Sequence, residues 1–163
     1  MRNCCCCPCC CNCQCQFPPN PPPGTLNNIL VAAGTGADPF GFINLTMDIP
    51  FAAALYSTGN FARHAANSAE FTILEAGAYE INYQMSAYNP AVESSFDIDI
   101  TVRLMSNLSG AVDAVLFTRQ NRLEQRSVTV NLSAGEILFL QASQPYPSEM
   151  AINSQAIAIV KLS

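Results

Sequence analysis

Tyr79-Glu80-Ile81-Asn82-Tyr83-Gln84-Met85-Ser86, followed shortly by Phe96-Asp97-Ile98-Asp99-Ile100-Thr101-Val102-Arg103-Leu104, alternates apolar and polar residues with a period of two. Successive side chains of an extended strand point to opposite faces, so each stretch reads as a strand with one face in a core and one toward solvent. Asn89-Pro90 between them reads as a turn. The same grammar extends outward. Asn107 to Gly110 is a turn, Val112 to Thr118 a strand, and Ser127 to Leu132 a strand with Val128, Val130 and Leu132 on one face. Ser133-Ala134-Gly135-Glu136 turns the chain into Ile137 to Ala142, an almost continuous apolar run expected to be buried on both faces. Ala156 to Leu162 has the same character, and Ile29 to Ala33, Gly41 to Asn44, Phe51 to Leu55 and Ala69 to Ile73 are weaker strand candidates.

Beyond Gly24 no segment carries a helical apolar stripe over more than two turns; Ala52 to Leu55 and Asn121 to Arg126 come nearest and are short. About eight to ten strands at this turn spacing predict an all-β sandwich or jelly roll. No repeat of fixed period argues for a propeller or solenoid.

At 163 residues the chain is expected to hold one folded domain with a proper core. Half of its residues are hydrophobic and only 12% are charged, so much of the surface is expected to be neutral or covered by other chains. The net charge of -5 and the scarcity of Lys and Arg clusters argue against nucleic acid and anionic membrane surfaces as partners. Asp48, Arg63, Glu70, Glu75, Glu80, Asp97 and Arg103 interrupt the apolar stretches before any reaches the length of a membrane helix. Met1-Arg2-Asn3 runs straight into cysteines rather than into an apolar stretch, so export on a secretory leader is not expected.

The N-terminus is a separate region. All nine cysteines, Cys4, Cys5, Cys6, Cys7, Cys9, Cys10, Cys11, Cys13 and Cys15, fall in the first fifteen residues. Disulfides inside so short a segment close almost no loop and add little to the fold that follows. Pro18, Pro19, Pro21, Pro22 and Pro23 then restrict the backbone to extended conformations, which makes residues 17–24 a stiff spacer. The expected organisation is a cysteine-rich anchoring or cross-linking segment over 1–16, the proline spacer over 17–24, and a jelly-roll domain over 25–163.

Phe71-Thr72-Ile73-Leu74-Glu75-Ala76-Gly77-Ala78-Tyr79-Glu80-Ile81 resembles the strand-turn-strand signature of the complement and tumour-necrosis-factor jelly-roll superfamily. Leu132-Ser133-Ala134-Gly135-Glu136-Ile137-Leu138-Phe139-Leu140 looks like that family's late Gly-acidic turn into a buried strand, and Gln155 to Ser163 like its final strand. Within the superfamily the likeness is greatest to the C-terminal domain of the collagen-like glycoproteins on the outer surface of Bacillus-type spores. The likeness runs over Ile29 to Ser163, whereas the collagen tract of those glycoproteins has no counterpart here; cysteines and prolines stand in its place. The resemblance implies a homotrimer of ten-stranded jelly rolls displayed on a stalk or fibre at a spore surface, in the exosporium or a coat appendage.

Three chemistries compete for the cysteines. Runs of adjacent Cys lack the C-x-x-C pairs of a structural zinc site, and adjacent thiolates cannot all face one metal core, which disfavours a metallothionein-like cluster. Intermolecular disulfides fit the odd count and the crowding that a trimer would impose. Lipidation and a reduced, packed plug remain as alternatives. No metal or cofactor is expected.

His64 is the only histidine, and no nucleophile motif accompanies it, so an enzyme, including one of the cupin kind, is not expected. Asp97 and Asp99 share one strand face and read as a solvated face in preference to a Ca²⁺ site. The sequons at Asn44, Asn107 and Asn131 would matter only in a eukaryotic secretory setting. Tyr79, Tyr83, Phe96, Phe117 and Phe139 are more aromatics than one small interior is expected to hide, which nominates them for the three-fold contact. The functional expectation is a structural subunit of a spore-surface layer or appendage fibre, trimeric through the jelly roll and cross-linked to itself or to another coat protein through the arm. A trimeric ligand- or glycan-binding module is the alternative, with loops Ser57 to Asn60 and Pro145 to Ser148 as contact candidates.

Overall fold

The computed structural model describes residues 28–35, 46–88, 97–119, 122–144 and 151–163. The cysteine segment, the proline spacer, Phe96, Asn44 and the loop at 145–148 lie outside these residues.

Eleven strands follow one another with no helix among the described residues: β1 (Ile29–Thr35), β2 (Thr46–Asp48), β3 (Ala54–Thr58), β4 (Ala62–His64), β5 (Phe71–Ile73), β6 (Gly77–Tyr88), β7 (Asp97–Ser106), β8 (Gly110–Arg119), β9 (Glu124–Leu132), β10 (Ile137–Ser143) and β11 (Ala151–Lys161). They form two antiparallel sheets, β3-β1-β11-β6-β9 and β4-β5-β10-β7-β8, with β2 paired to the end of β10 beyond β5. The expected ten-strand jelly roll is there; short β2 makes the count eleven. Ala52 to Leu55 runs into edge strand β3, and residues 124–126 open β9, so among the described residues neither near-helical stretch forms a turn of helix.

The two alternating stretches quoted above become β6 and β7, one in each sheet. In β6, Tyr79, Ile81, Tyr83 and Met85 point into the sandwich, while Glu80, Asn82 and Gln84 point out. Ile100, Val102 and Leu104 do the same from β7. Phe51, Phe61 and Phe71 fill the interior with them; Phe51 and Phe71 meet edge to face with centroids 5.2 Å apart. β10 corrects the expectation of a strand buried on both faces. Leu138, Leu140 and Ala142 are buried, but Ile137, Phe139 and Gln141 sit half-buried on the outer face of their sheet.

The Gly-acidic turn is held by a buried carboxylate. Glu136 Oε1 accepts from Ser106 Oγ, and Glu136 Oε2 accepts from the Ser133 amide at 2.8 Å. Ser106 Oγ in turn accepts from the amides of Leu108 and Ser109 at 3.1 Å each, so one carboxylate ties the β7–β8 turn to the β9–β10 turn. Gly135 in this turn has φ of 85°, a conformation that costs little only for glycine.

Candidate functional site

The outer face of the five-stranded sheet carries few charged side chains among the described residues. Register gives its rows directly. One row runs Tyr56, Val31, Ala158, Asn82, Ser127 across β3, β1, β11, β6 and β9. The rows on either side continue the theme: Ile29, Val160, Glu80 and Thr129 on one, Ala33, Ala156, Gln84 and Gln125 on the other. The face is therefore two-toned. β1 and β11 contribute an apolar stripe of small residues; β6 and β9 contribute hydroxyls and amides. Glu80 is the one carboxylate in these three rows, and it accepts from Ser127 Oγ at 3.3 Å.

The alternation of strands dictates this division. Odd positions of β6 and β11 (Ile81, Tyr83, Ile157, Ile159) fill the core, and the even positions between them are left outside. Val31, Ala156 and Ala158 on the apolar side and Asn82, Gln84 and Ser127 on the polar side line a shallow groove of about 400 Å³ at the centre of the face. At the margin, edge strand β3 exposes Leu55 and Tyr56, 70% and 54% accessible. A contiguous apolar stripe with an open strand edge beside it is a surface suited to covering by another chain.

Beneath the groove, Tyr83 joins the two sheets. Its hydroxyl donates to Asp113 Oδ2 on β8 at 2.9 Å, and Arg126 of β9 approaches Asp113 Oδ1 at 3.4 Å. Burial, reinforced by the hydrogen bond to Asp113, pushes the Tyr83 phenol well above its ordinary pKa.

The aromatics nominated for a three-fold contact are distributed otherwise. Tyr79 and Tyr83 are 0% and 3% exposed within a single chain, so they belong to its own core and offer no surface to a neighbour. The interior between a five- and a six-stranded sheet is large enough to hold them. Phe139 is half-buried on the outer face of the other sheet, beside Met105. Phe117 occupies β8 opposite Ile100, and Phe96 lies outside the described residues. The signal that marks the two-toned face was present in the sequence: it is the set of positions between the core residues, at 80, 82 and 84 and at 156, 158 and 160.

His64 is a structural clasp. Its Nε2 lies 2.7 Å from the Ala52 carbonyl oxygen and its Nδ1 3.1 Å from that of Glu70, while the ring stacks on Phe71 at 4.4 Å. Both nitrogens are thus turned to backbone. Among the described residues no group of three His, Cys, Asp or Glu side chains is placed to hold a metal ion. Ser57, Gly59 and Asn60 of the first loop candidate are exposed at the end of β3.

No protein-family model and no curated protein sequence matches the chain. Solved structures do match in fold. Murine APRIL superposes with a TM-score of 0.59 at 8% identity, covering 82% of this chain and 99% of that one. The PRD1 vertex protein P5 gives 0.61 at 13% identity, covering 84% and 74%. The globular domain of zebrafish complement 1qA gives 0.56 at 10% identity, covering 83% and 98%. With two antiparallel sheets in this strand order and these neighbours, the chain has a jelly-roll fold of the tumour-necrosis-factor and complement C1q type.

Proposed function

We propose that this protein is a non-enzymatic structural subunit that associates as a homotrimer through the outer face of its five-stranded sheet. The observation that carries the reading is the composition of that face: an apolar stripe from Ile29 to Val160, flanked by hydroxyls and amides with Glu80 and Arg126 the charged groups beside them, and an exposed edge strand at its margin. Large self-association surfaces resemble a core cut open, and the low charge of the whole chain agrees with a face that is covered in use. The fold supports the trimer through the superfamily resemblance. That a vertex protein is among the structural neighbours agrees with an architectural role.

In the same proposal the nine cysteines fasten the trimer to its surroundings. β1 opens at Ile29, so the spacer and the cysteines precede a strand of the association face that lies between edge strand β3 and central β11. Three such arms in one trimer concentrate thiols where oxidation after cell lysis links them to further trimers or to a neighbouring protein. The setting we propose is a spore-surface layer or appendage fibre.

Denaturing gels of oxidised protein, with and without reductant, test the cross-linking. A ladder that collapses to one band on reduction, and that is lost when all nine cysteines are replaced by serine, is the expected result. A single monomer band in both lanes would remove the cysteines from assembly.

A further inference from the structure

The outer face of the six-stranded sheet carries a second groove, of about 470 Å³, lined by Asp99, Thr101, Arg103, Leu116, Ser143 and Gln144. Alternation along β7 puts Asp99, Thr101 and Arg103 on this one face, and register sets Leu116 and Ser143 on either side of Thr101. It is the opposite face of the sandwich from the one assigned to assembly, so a trimer built as above leaves it open.

Arg103 is the notable member. Its Nη1 donates to Ser143 Oγ at 2.7 Å, and Ser143 Oγ donates onward at 3.4 Å to the Thr101 carbonyl, which leaves the oxygen's lone pairs facing the guanidinium. Among the described residues no carboxylate pairs with Arg103, although the chain has 12 acidic against 7 basic side chains. Asp48, two strands away, is engaged by Gln141 Nε2 at 2.9 Å. Asp99 lies four residues along the same strand, about 13 Å at strand rise, too far to neutralise the guanidinium. Ser143 Oγ takes one of the five N–H donors of this half-buried guanidinium, whose planar fork is shaped to take a carboxylate in bidentate fashion.

We propose that this groove binds an acidic sugar residue of the uronic or sialic acid class. The sugar carboxylate pairs with Arg103 in the bidentate geometry that guanidinium favours. Ring hydroxyls reach the Thr101 hydroxyl and, at the far end, the Asp99 carboxylate, while the apolar face of the ring rests on exposed Leu116. Asp99 also selects against the other anion such a site could take: it accepts hydroxyls but repels the repeated carboxylates of an acidic peptide. The volume falls in the range of small-ligand sites.

The test is ligand-observed NMR and calorimetry on the full-length reduced protein with glucuronic acid, N-acetylneuraminic acid, glucose and an oligoglutamate peptide. Saturable binding of an acidic sugar is expected, with glucose inactive and the peptide a poor competitor. Arg103→Met should weaken the sugar at least about tenfold, the size of a lost charge-assisted pair, and Arg103→Lys should fall between. No saturation by either acidic sugar, equal binding of glucose, better competition by the peptide, or an Arg103→Met affinity within twofold of the parent would each overturn the proposal. The sedimentation mass of Arg103→Met, expected to equal that of the parent, reports on assembly separately.

Discussion

Replacing Tyr83 with phenylalanine removes one oxygen from the junction between the sheets and nothing else. The phenol donates to Asp113 Oδ2 at 2.9 Å, whereas the competing Arg126 contact is long, 3.4 Å, so the hydroxyl is the better of the two partners of that carboxylate. The Asp113 side chain is 18% exposed, which leaves water only partial access to repair the loss. A hydrogen bond to a charged acceptor contributes about 1.5–3 kcal/mol, and residual access favours the lower half of that range. At about 2–4 °C per kcal/mol for a chain of this size, Tyr83→Phe should lower Tm by about 3–8 °C. The assay is calorimetry on reduced protein at one fixed concentration, since association also moves Tm. Because the two groups act on each other, Tyr83→Phe and Asp113→Ala should be non-additive by about 1 kcal/mol or more in a double-mutant cycle. A Tyr83→Phe Tm within 1 °C of the parent, or strict additivity in the cycle, would refute the role assigned to this junction.

Two further outcomes follow from the interior. A Cβ on Gly34 would sit 2.3 Å from Gln155 Nε2, and Gln155 is held in the core by donating to the Pro50 carbonyl at 2.9 Å. Gly34→Ala should therefore cost about 1–3 kcal/mol in chemical denaturation and much less in a Gln155→Ala background; an unchanged midpoint would contradict the packing. Tyr79 and Tyr83 both have raised pKa values, burial being the first cause in each, with Glu75 adding for Tyr79 and Asp113 for Tyr83. The folded state thus keeps these protons where the unfolded chain loses them. Their stabilisation is full below the ordinary tyrosine value of 10.0 and declines as pH rises above it, by up to about 1.4 kcal/mol per pH unit for each phenol. Absorbance titration compared with Tyr79→Phe and Tyr83→Phe should show these two phenols ionising only together with alkaline unfolding; their reversible ionisation near 10.0 in folded protein would disprove it.

Sandwich architecture was legible because alternation is local. Tyr79 to Met85 and Ile100 to Leu104 state their own inward faces, and the turn at Ser133 to Glu136 announces itself through Gly135. β10 misled because Leu138, Leu140 and Ala142 share the strand with outward Ile137 and Phe139, and an apolar side chain does not say whether its neighbours will cover it. The nomination of Tyr79 and Tyr83 for a three-fold contact has a related cause. Large aromatics drew attention, but size measures how much a side chain gains from burial, not which chain supplies the burial, and Tyr79 and Tyr83 are covered by their own sheets. Small residues such as Ala156 and Ala158 give a weak signal singly. They stand out only when register sets them beside Val31 and Ala33. The groove around Arg103 was invisible in the sequence, since it needs the pairing of β7 with both β8 and β10.

The central claim is that the five-stranded sheet's outer face holds three copies together independently of the cysteines. Sedimentation equilibrium of the full chain in excess reductant measures this most directly. Three times the 17.5 kDa of one chain is the predicted mass, falling to one chain with unchanged circular dichroism in Ala158→Glu, which sets a carboxylate in the middle of the apolar stripe. A parent protein that sediments at 17.5 kDa at high concentration, or an Ala158→Glu variant that stays trimeric, would contradict it.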